Sequence, residues 1–198
     1  MRIIIVGATG TIGKKVATEL GKRHDVVRVG NSKGTYNLDI LSTASIEKFF
    51  KAVGPFNALV STTGSGHFGP VSTMTVDNFR IGLESKFLGQ VSLVLIGQHY
   101  ISPGGSFTLT TGVLSEDPVV SGANLSAVNN GVNGFVLGAA IELQHGVRIN
   151  AVSPGVVEDS PQYFPFFPGH IPVTMDKVVN GYVKAVEGSM TGQVIKVY

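Results

Sequence analysis

The chain has 198 residues, 43% of them apolar and only 14% charged, with a formal net charge of +2. That length suits one domain with a sizeable core, the absence of cysteine excludes disulfides and thiolate metal sites, and the scattered lysines and arginines form no nucleic-acid footprint. Ile3 to Val6 is too short an apolar run for a secretion signal and no run reaches membrane-span length, so a cytoplasmic location is expected, without a membrane partner.

Strand and helix patterns alternate along the chain. Residues 2–6 read as a buried strand and 11–22 as a helix. A second strand runs from Asp25 to Val29, followed by a short extended piece from Tyr36 to Asp39. A helix covers about Ser45 to Val53, and Asn57 to Ser61 is the next strand. A long helix is expected from Val76 to Tyr100, a strand from Ser106 to Thr111, and a helix from Gly122 to His145. Val147 to Val152 is a strand, Met175 to Glu187 a helix, and Gln193 to Val197 a last strand. Such alternation implies parallel pairing and right-handed crossovers. The expected fold is α/β, a doubly wound parallel (Rossmann) sheet of about seven strands in a three-layer αβα sandwich. It forms a single domain over residues 1–198.

One connection is short. Only Gly30 to Thr35 separates the second strand from Tyr36, too few residues for a crossover helix. The reading adopted is that one helix of the usual fold is shortened or lost. Residues 160–172, with four prolines and three phenylalanines, form no regular element and read as a lid over a substrate.

The most specific motif is Gly7-Ala8-Thr9-Gly10-Thr11-Ile12-Gly13, lying between an apolar strand and a helix. Glycines there let the backbone turn sharply and leave nothing between the main chain and a pyrophosphate, while the helix N-terminus offers free N–H groups. Candidate cofactor contacts in this loop are Gly7, Thr9, Gly10, Thr11, Ile12 and Gly13.

Other segments complete a pattern. Asp39-Ile40, Ser61-Thr62-Thr63-Gly64, Gly66-His67-Phe68-Gly69-Pro70, Thr191-Gly192-Gln193-Val194-Ile195 and especially Val147-Arg148-Ile149-Asn150-Ala151-Val152-Ser153-Pro154-Gly155 occur in the order and spacing of one family. The chain resembles a short-chain dehydrogenase/reductase nearly end to end. That resemblance implies that Asp39 and Ile40 touch adenine, that Ser61 to Gly64 lie along the cofactor, and that Pro154, Gly155 and Val156 lie beside the nicotinamide. It also implies a homodimer or homotetramer, commonly built on the two long helices.

The family's catalytic Tyr-x-x-x-Lys does not appear. Its register places Leu125 at the tyrosine and Asn129 at the lysine, with the serine near Thr111 or Gly112. None of the five tyrosines has a lysine four residues on. Leucine cannot donate a proton, and Asn129 can hydrogen-bond ribose but carries no charge. The family's catalytic asparagine falls at Lys86. A lysine in a partly buried cleft has a lowered pKa and can act as an acid; a solvated helix lysine near Glu84 is the plainer alternative. Thr111 either offers a hydrogen bond to substrate or simply ends a strand. His67 and Tyr163 are weaker candidates, and the remaining histidines lack metal-ligand spacing, so no metal is expected.

At the end of the second strand an acid would hold the ribose 2′-hydroxyl of NAD. Here stand Asn31, Ser32 and Lys33, which suit a 2′-phosphate, so NADP is expected over NAD. Three functions remain: an NADP-dependent oxidoreductase with a non-standard donor and unknown small-molecule substrate, a catalytically silent NADP-binding sensor or partner subunit, and a non-redox enzyme on the same fold. Finally, the helix from Gly122 carries Ala127, Gly131, Gly134 and Gly138 on one face, implying close approach of the sheet, a neighbouring helix or a second subunit.

Overall fold

A computed structural model describes all of residues 1–198. The elements are β1 (Arg2–Val6), α1 (Thr11–Leu20), β2 (Asp25–Gly30), β3 (Tyr36–Asn37), α2 (Thr43–Val53), β4 (Phe56–Ser61), α3 (Val76–Gly82), α4 (Gly89–Gly97), β5 (Ile101–Thr110), α5 (Ala123–Ala139), β6 (Arg148–Pro154), α6 (Met175–Glu187) and β7 (Val194–Val197). The seven strands form one parallel sheet in the order β3-β2-β1-β4-β5-β6-β7.

Why the strands read as unbroken apolar runs is visible in β1. Ile3 and Ile5 pack with Val16, Ala17 and Leu20 of α1 and with α6, whereas Ile4 and Val6 pack on the opposite face with α2, α4 and α5. A sheet covered on both faces needs apolar side chains at every position, not at alternate ones. Each fully buried isoleucine contributes roughly 1.5–3 kcal/mol.

The order reverses direction between β1 and β4. Their C-terminal ends therefore diverge into a crevice, the usual ligand site of such sheets.

Several boundaries differ from the sequence reading. β3 is only two residues long and pairs with Val29 and Gly30. The link 31–35 thus doubles back by about one residue, which needs no helix. The helix expected from Val76 to Tyr100 is interrupted by a π-helical segment, Leu83–Leu88, and ends at Gly97. The helix expected to reach His145 stops at Ala139; the chain then turns through His145 and Gly146, both with positive φ. β5 starts at Ile101, five residues early, through an irregularity in its pairing with β4.

Of the small residues on α5, a Cβ on Gly131 would come within 3.2 Å of the ring of Phe87, while Gly134 and Gly138 face open space. Val128, Val132 and Val136 hold the helix to the interior. The small face is therefore not the sheet-facing one. No helix is long and apolar enough to cross a membrane.

Candidate functional site: a two-chambered cleft at the carboxyl ends of the strands

Two chambers meet at Gly64 and Ser65. The first, about 440 Å³, is lined by Gly7, Thr9, Gly10, Gly30, Asn31, Asp39, Ile40, Thr62 and Thr63 among others. The second, about 520 Å³, takes Ile12, Lys86, Thr111, Leu125, Asn129 and the run Pro154 to Val157. Candidates scattered over 150 positions of sequence are thus gathered along one groove.

The glycine loop is a close-packed turn. Gly7 has φ +85, where a side chain is strained. A Cβ on Gly13 would collide with the carbonyl oxygen of Gly7 and the hydroxyl of Thr62. That hydroxyl is held by donating to the Val6 carbonyl at 3.1 Å. Gly10 is different: its Cβ would meet only the Gly7 carbonyl, at 3.4 Å, and would otherwise project into the first chamber.

Helix α1 begins at Gly10 with no side-chain cap, whereas α2 is capped by Ser42 and α3 by a reciprocal Thr75–Asn78 box. An uncapped first turn beside the groove leaves its N–H groups for a ligand. The empty space over Gly10, the bare helix start and the paired chambers fit an extended dinucleotide.

At the far end of the first chamber the 30–35 turn places Asn31 in the lining, with Ser32 and Lys33 exposed beside it. Asp39 lines the chamber, and its carboxylate accepts the N–H of Leu41 at 2.9 Å. Ser61 is buried beneath the groove with its hydroxyl unpaired. Thr11 faces outward, toward a separate groove between α1 and α6.

The second chamber has mostly apolar walls: Phe68, Val113, Leu114, Leu125, Tyr163 and Phe167. Segment 160–172 crosses its mouth as a short 3-10 turn (Pro161–Phe166), and Phe166 meets Phe68 edge to face at 4.9 Å. On its other side His170 lies 3.5 Å from Asp117. His67 does not line either chamber.

Lys86 supplies the one charge of this chamber. It sits in the π-helical segment, its backbone so close to Gly64 that a Cβ there would come within 2.6 Å of the Lys86 Cα. The residue is half-buried, and desolvation of its amine without a carboxylate partner pushes the ammonium down to about 8. Asn129 is 3% exposed; its Nδ2 makes only a long contact of 3.4 Å to the Gly112 carbonyl, and its Oδ1 is buried with no partner. Thr111, 2% exposed, donates its hydroxyl to the Asn129 carbonyl at 3.0 Å, so its proton is committed to α5 and only its lone pairs face elsewhere. Leu125 packs its methyl groups against Gly66.

Gln90 escaped the sequence reading. It is fully buried and bonded to both Lys86 and Thr110. The available signal was a lone glutamine at the start of an apolar helical run. Phe68 and Phe166 also needed the fold to meet. No cluster of three or more histidine, aspartate or glutamate side chains converges as a metal site would require.

A parallel doubly wound sheet with a glycine loop and an extended cleft defines a nucleotide-binding protein of the Rossmann type. The family model described as enoyl-(acyl carrier protein) reductase, one of the short-chain dehydrogenase models, matches residues 6–164. Among solved structures, the protein lin1944 from Listeria innocua is 42% identical, with a TM-score of 0.99 and complete coverage of both chains. A small-chain dehydrogenase is 30% identical over all of this chain and 95% of its own, at a TM-score of 0.86. Another, crystallised with NADPH, is 28% identical over 100% and 96%, at 0.89. No curated protein matches significantly. The chain belongs to the short-chain dehydrogenase/reductase family, whose members bind nicotinamide cofactors.

Proposed function

We propose that this protein is an NADPH-dependent oxidoreductase in which Lys86, not a tyrosine, meets the reacting carbonyl oxygen. The observation that carries this reading is an ammonium without a counter-ion in the second chamber, whose lining it shares with Asn129 and Leu125. A cation left unpaired there is costly, and its use is to meet negative charge that develops during reaction.

Gly7 to Gly13 would hold the pyrophosphate, Asp39 and Ile40 the adenine, and Asn31, Ser32 and Lys33 the 2′-phosphate. Ser61 to Gly64 would lie along the middle of the cofactor. The unpaired Oδ1 of Asn129 suits a ribose hydroxyl, and Pro154 to Val156 would flank the nicotinamide. The cofactor, when bound, supplies the hydride. Lys86 would stabilise the developing negative charge on the substrate oxygen, and Thr111 offers only a lone pair. The NADPH complex of a relative supports the choice of cofactor for this chain. Calorimetric titration is expected to show tighter binding of NADPH than of NADH; equal or tighter NADH binding would reverse the assignment.

Leu125 stands at the position of the family's tyrosine, so simple ketones, whose alkoxide must be protonated at once, should turn over slowly. The name of the matching family model points to a gentler demand. Reduction of a double bond conjugated to a carbonyl takes its proton at carbon, from water. The site then needs only to stabilise the oxygen, as an ammonium does. A panel of ketones, imines and enones assayed by NADPH oxidation tests this, with enones expected to lead. A second reading, a silent NADP sensor, draws on the hydrocarbon that Leu125 presses against Gly66; tight binding with no turnover across the panel would establish it.

The proposed assembly is a homo-oligomer through α4 and α5. Leu137 is 59% and Ile141 87% exposed, and Leu95 of α4 lines a groove with Gly138, where α5 admits close approach. Large apolar side chains left exposed near such a groove suit an interface. Leu95→Glu together with Leu137→Glu is expected to yield monomers by light scattering at micromolar concentration, where the unaltered protein is a dimer or tetramer.

A further inference from the structure

Gln90 is 0% exposed, at the start of a helix whose other buried side chains are apolar. Its carboxamide is fully used. Nε2 donates to the Lys86 carbonyl at 2.8 Å and to the Thr110 carbonyl at 2.9 Å, while Oε1 accepts the Thr110 N–H at 2.9 Å. One side chain therefore ties the π-helical turn bearing Lys86 to the end of β5, next to Thr111.

The strand end is held from its other side as well. The Thr110 hydroxyl donates to the Ser61 carbonyl at 2.5 Å and lies 2.7 Å from the hydroxyl of Tyr182, itself fully buried on α6. Threonine has a single hydroxyl hydrogen, so Tyr182 is the donor to Thr110. β4 and β5 are paired as far as Val60 and Thr108 and separate beyond it. Side chains thus take over the backbone partners just where the strands part to open the cleft. Fully satisfied buried networks rigidify the groups they join.

We propose that Gln90 is a positioning residue that stabilises the π-helical turn and thereby aims Lys86 into the second chamber. This rests on the reading of Lys86 as the group that meets the substrate oxygen. A π turn is uncommon and occurs chiefly at functional sites. Its extra residue rotates the helix before it by about 100° relative to the helix after it. If the turn relaxes to α-helix, Lys86 swings around the helix axis, away from Gly64 and the chamber.

The test is Gln90→Met, which keeps the volume and removes all three hydrogen bonds. Two readouts are needed. The first is the titration of Lys86 in the cofactor-free protein, followed by NMR of its isotopically dimethylated amine. The second is the separation of kcat from NADPH affinity. In the unaltered protein, burial of the amine should hold the Lys86 titration well below the ordinary lysine range, at about 8. In the variant its titration should climb toward that of an ordinary lysine, and kcat should fall about tenfold or more with NADPH affinity little changed. If Gln90→Met does not fold, Gln90→Asn carries the same expectations, since its amide is one methylene too short to bridge both elements.

A folded variant with unchanged Lys86 titration and unchanged kcat overturns the proposal, even if its melting temperature drops, because the glutamine is then only part of the core. A shifted titration in a protein that turns over no substrate supports the positioning role and refutes the oxidoreductase reading instead.

Discussion

Lys86→Met is expected to make the cofactor-free protein more stable and catalytically poor at once. In the folded state burial holds the ammonium near 8, against about 10.5 for an unburied lysine. The unfolded chain therefore binds more protons between those values, and stability rises with pH across that window. Below pH 8 both states are protonated, so the cost of burying the charge is present in full at neutral pH. Replacing the ammonium by methionine removes that cost. Allowing for partial solvation of the amine, the gain is roughly 1–3 kcal/mol at pH 7.

Denaturant unfolding of both proteins at pH 7 and pH 10.5 measures it, and the two stabilities should converge at the higher pH. The same substitution should lower turnover of a found substrate by about 10²–10³-fold, the usual worth of one group that stabilises a developing oxyanion. A stability gain without loss of turnover would leave Lys86 buried but not catalytic. No change in either quantity would place its amine in solvent. The combination expected is the familiar exchange of stability for activity at an active site.

The second large effect separates two glycines that look equivalent in the motif. Gly13→Val should abolish both nucleotide binding and much of the stability. Its Cβ runs into the Gly7 carbonyl and the Thr62 hydroxyl; the first is backbone and the second is anchored to Val6, so neither can withdraw. Overpacking of this kind costs about 1–3 kcal/mol and more where backbone must move. The Cβ of Gly10→Val meets only the Gly7 carbonyl, at 3.4 Å, and Gly10 lines the chamber. It should weaken NADPH binding by about 100-fold, equivalent to roughly 2.7 kcal/mol, while the melting temperature stays near that of the unaltered chain. Calorimetry and thermal melts on the pair decide it. Full affinity in Gly10→Val would mean that the cofactor does not lie against this loop.

These two glycines show how the structure separates positions that a motif treats alike. From sequence, Gly13 is a place where a bulky residue would push against the ligand at the helix start. In the structure the obstruction is internal: Gly13 lets α1 approach the end of β1, whereas Gly10 borders the open first chamber. Spacing alone cannot tell a gap left for a ligand from a gap left for a neighbouring strand.

What sequence by itself determined is the local and periodic part. Unbroken apolar runs such as Ile3 to Val6 implied strands covered on both faces, and their alternation with helical segments implied a parallel doubly wound sheet, since hydrophobic period and crossover handedness are local rules. The glycine loop and the Arg148 to Pro154 strand were legible for the same reason, because backbone geometry at those positions tolerates few residue types. The shortened connection before Tyr36 was visible as a simple count of residues.

Tertiary structure alone decided the rest. It commits the Thr111 proton to α5, leaves Lys86 without a counter-ion and turns the small face of α5 outward. It also opens a π turn in a helix that reads as continuous and closes Phe166 onto Phe68 across nearly a hundred residues. Gln90 is the sharpest instance: its role depends on a strand end twenty residues away, and hydrogen-bond partners at that distance are set by packing, not by any pattern in the chain.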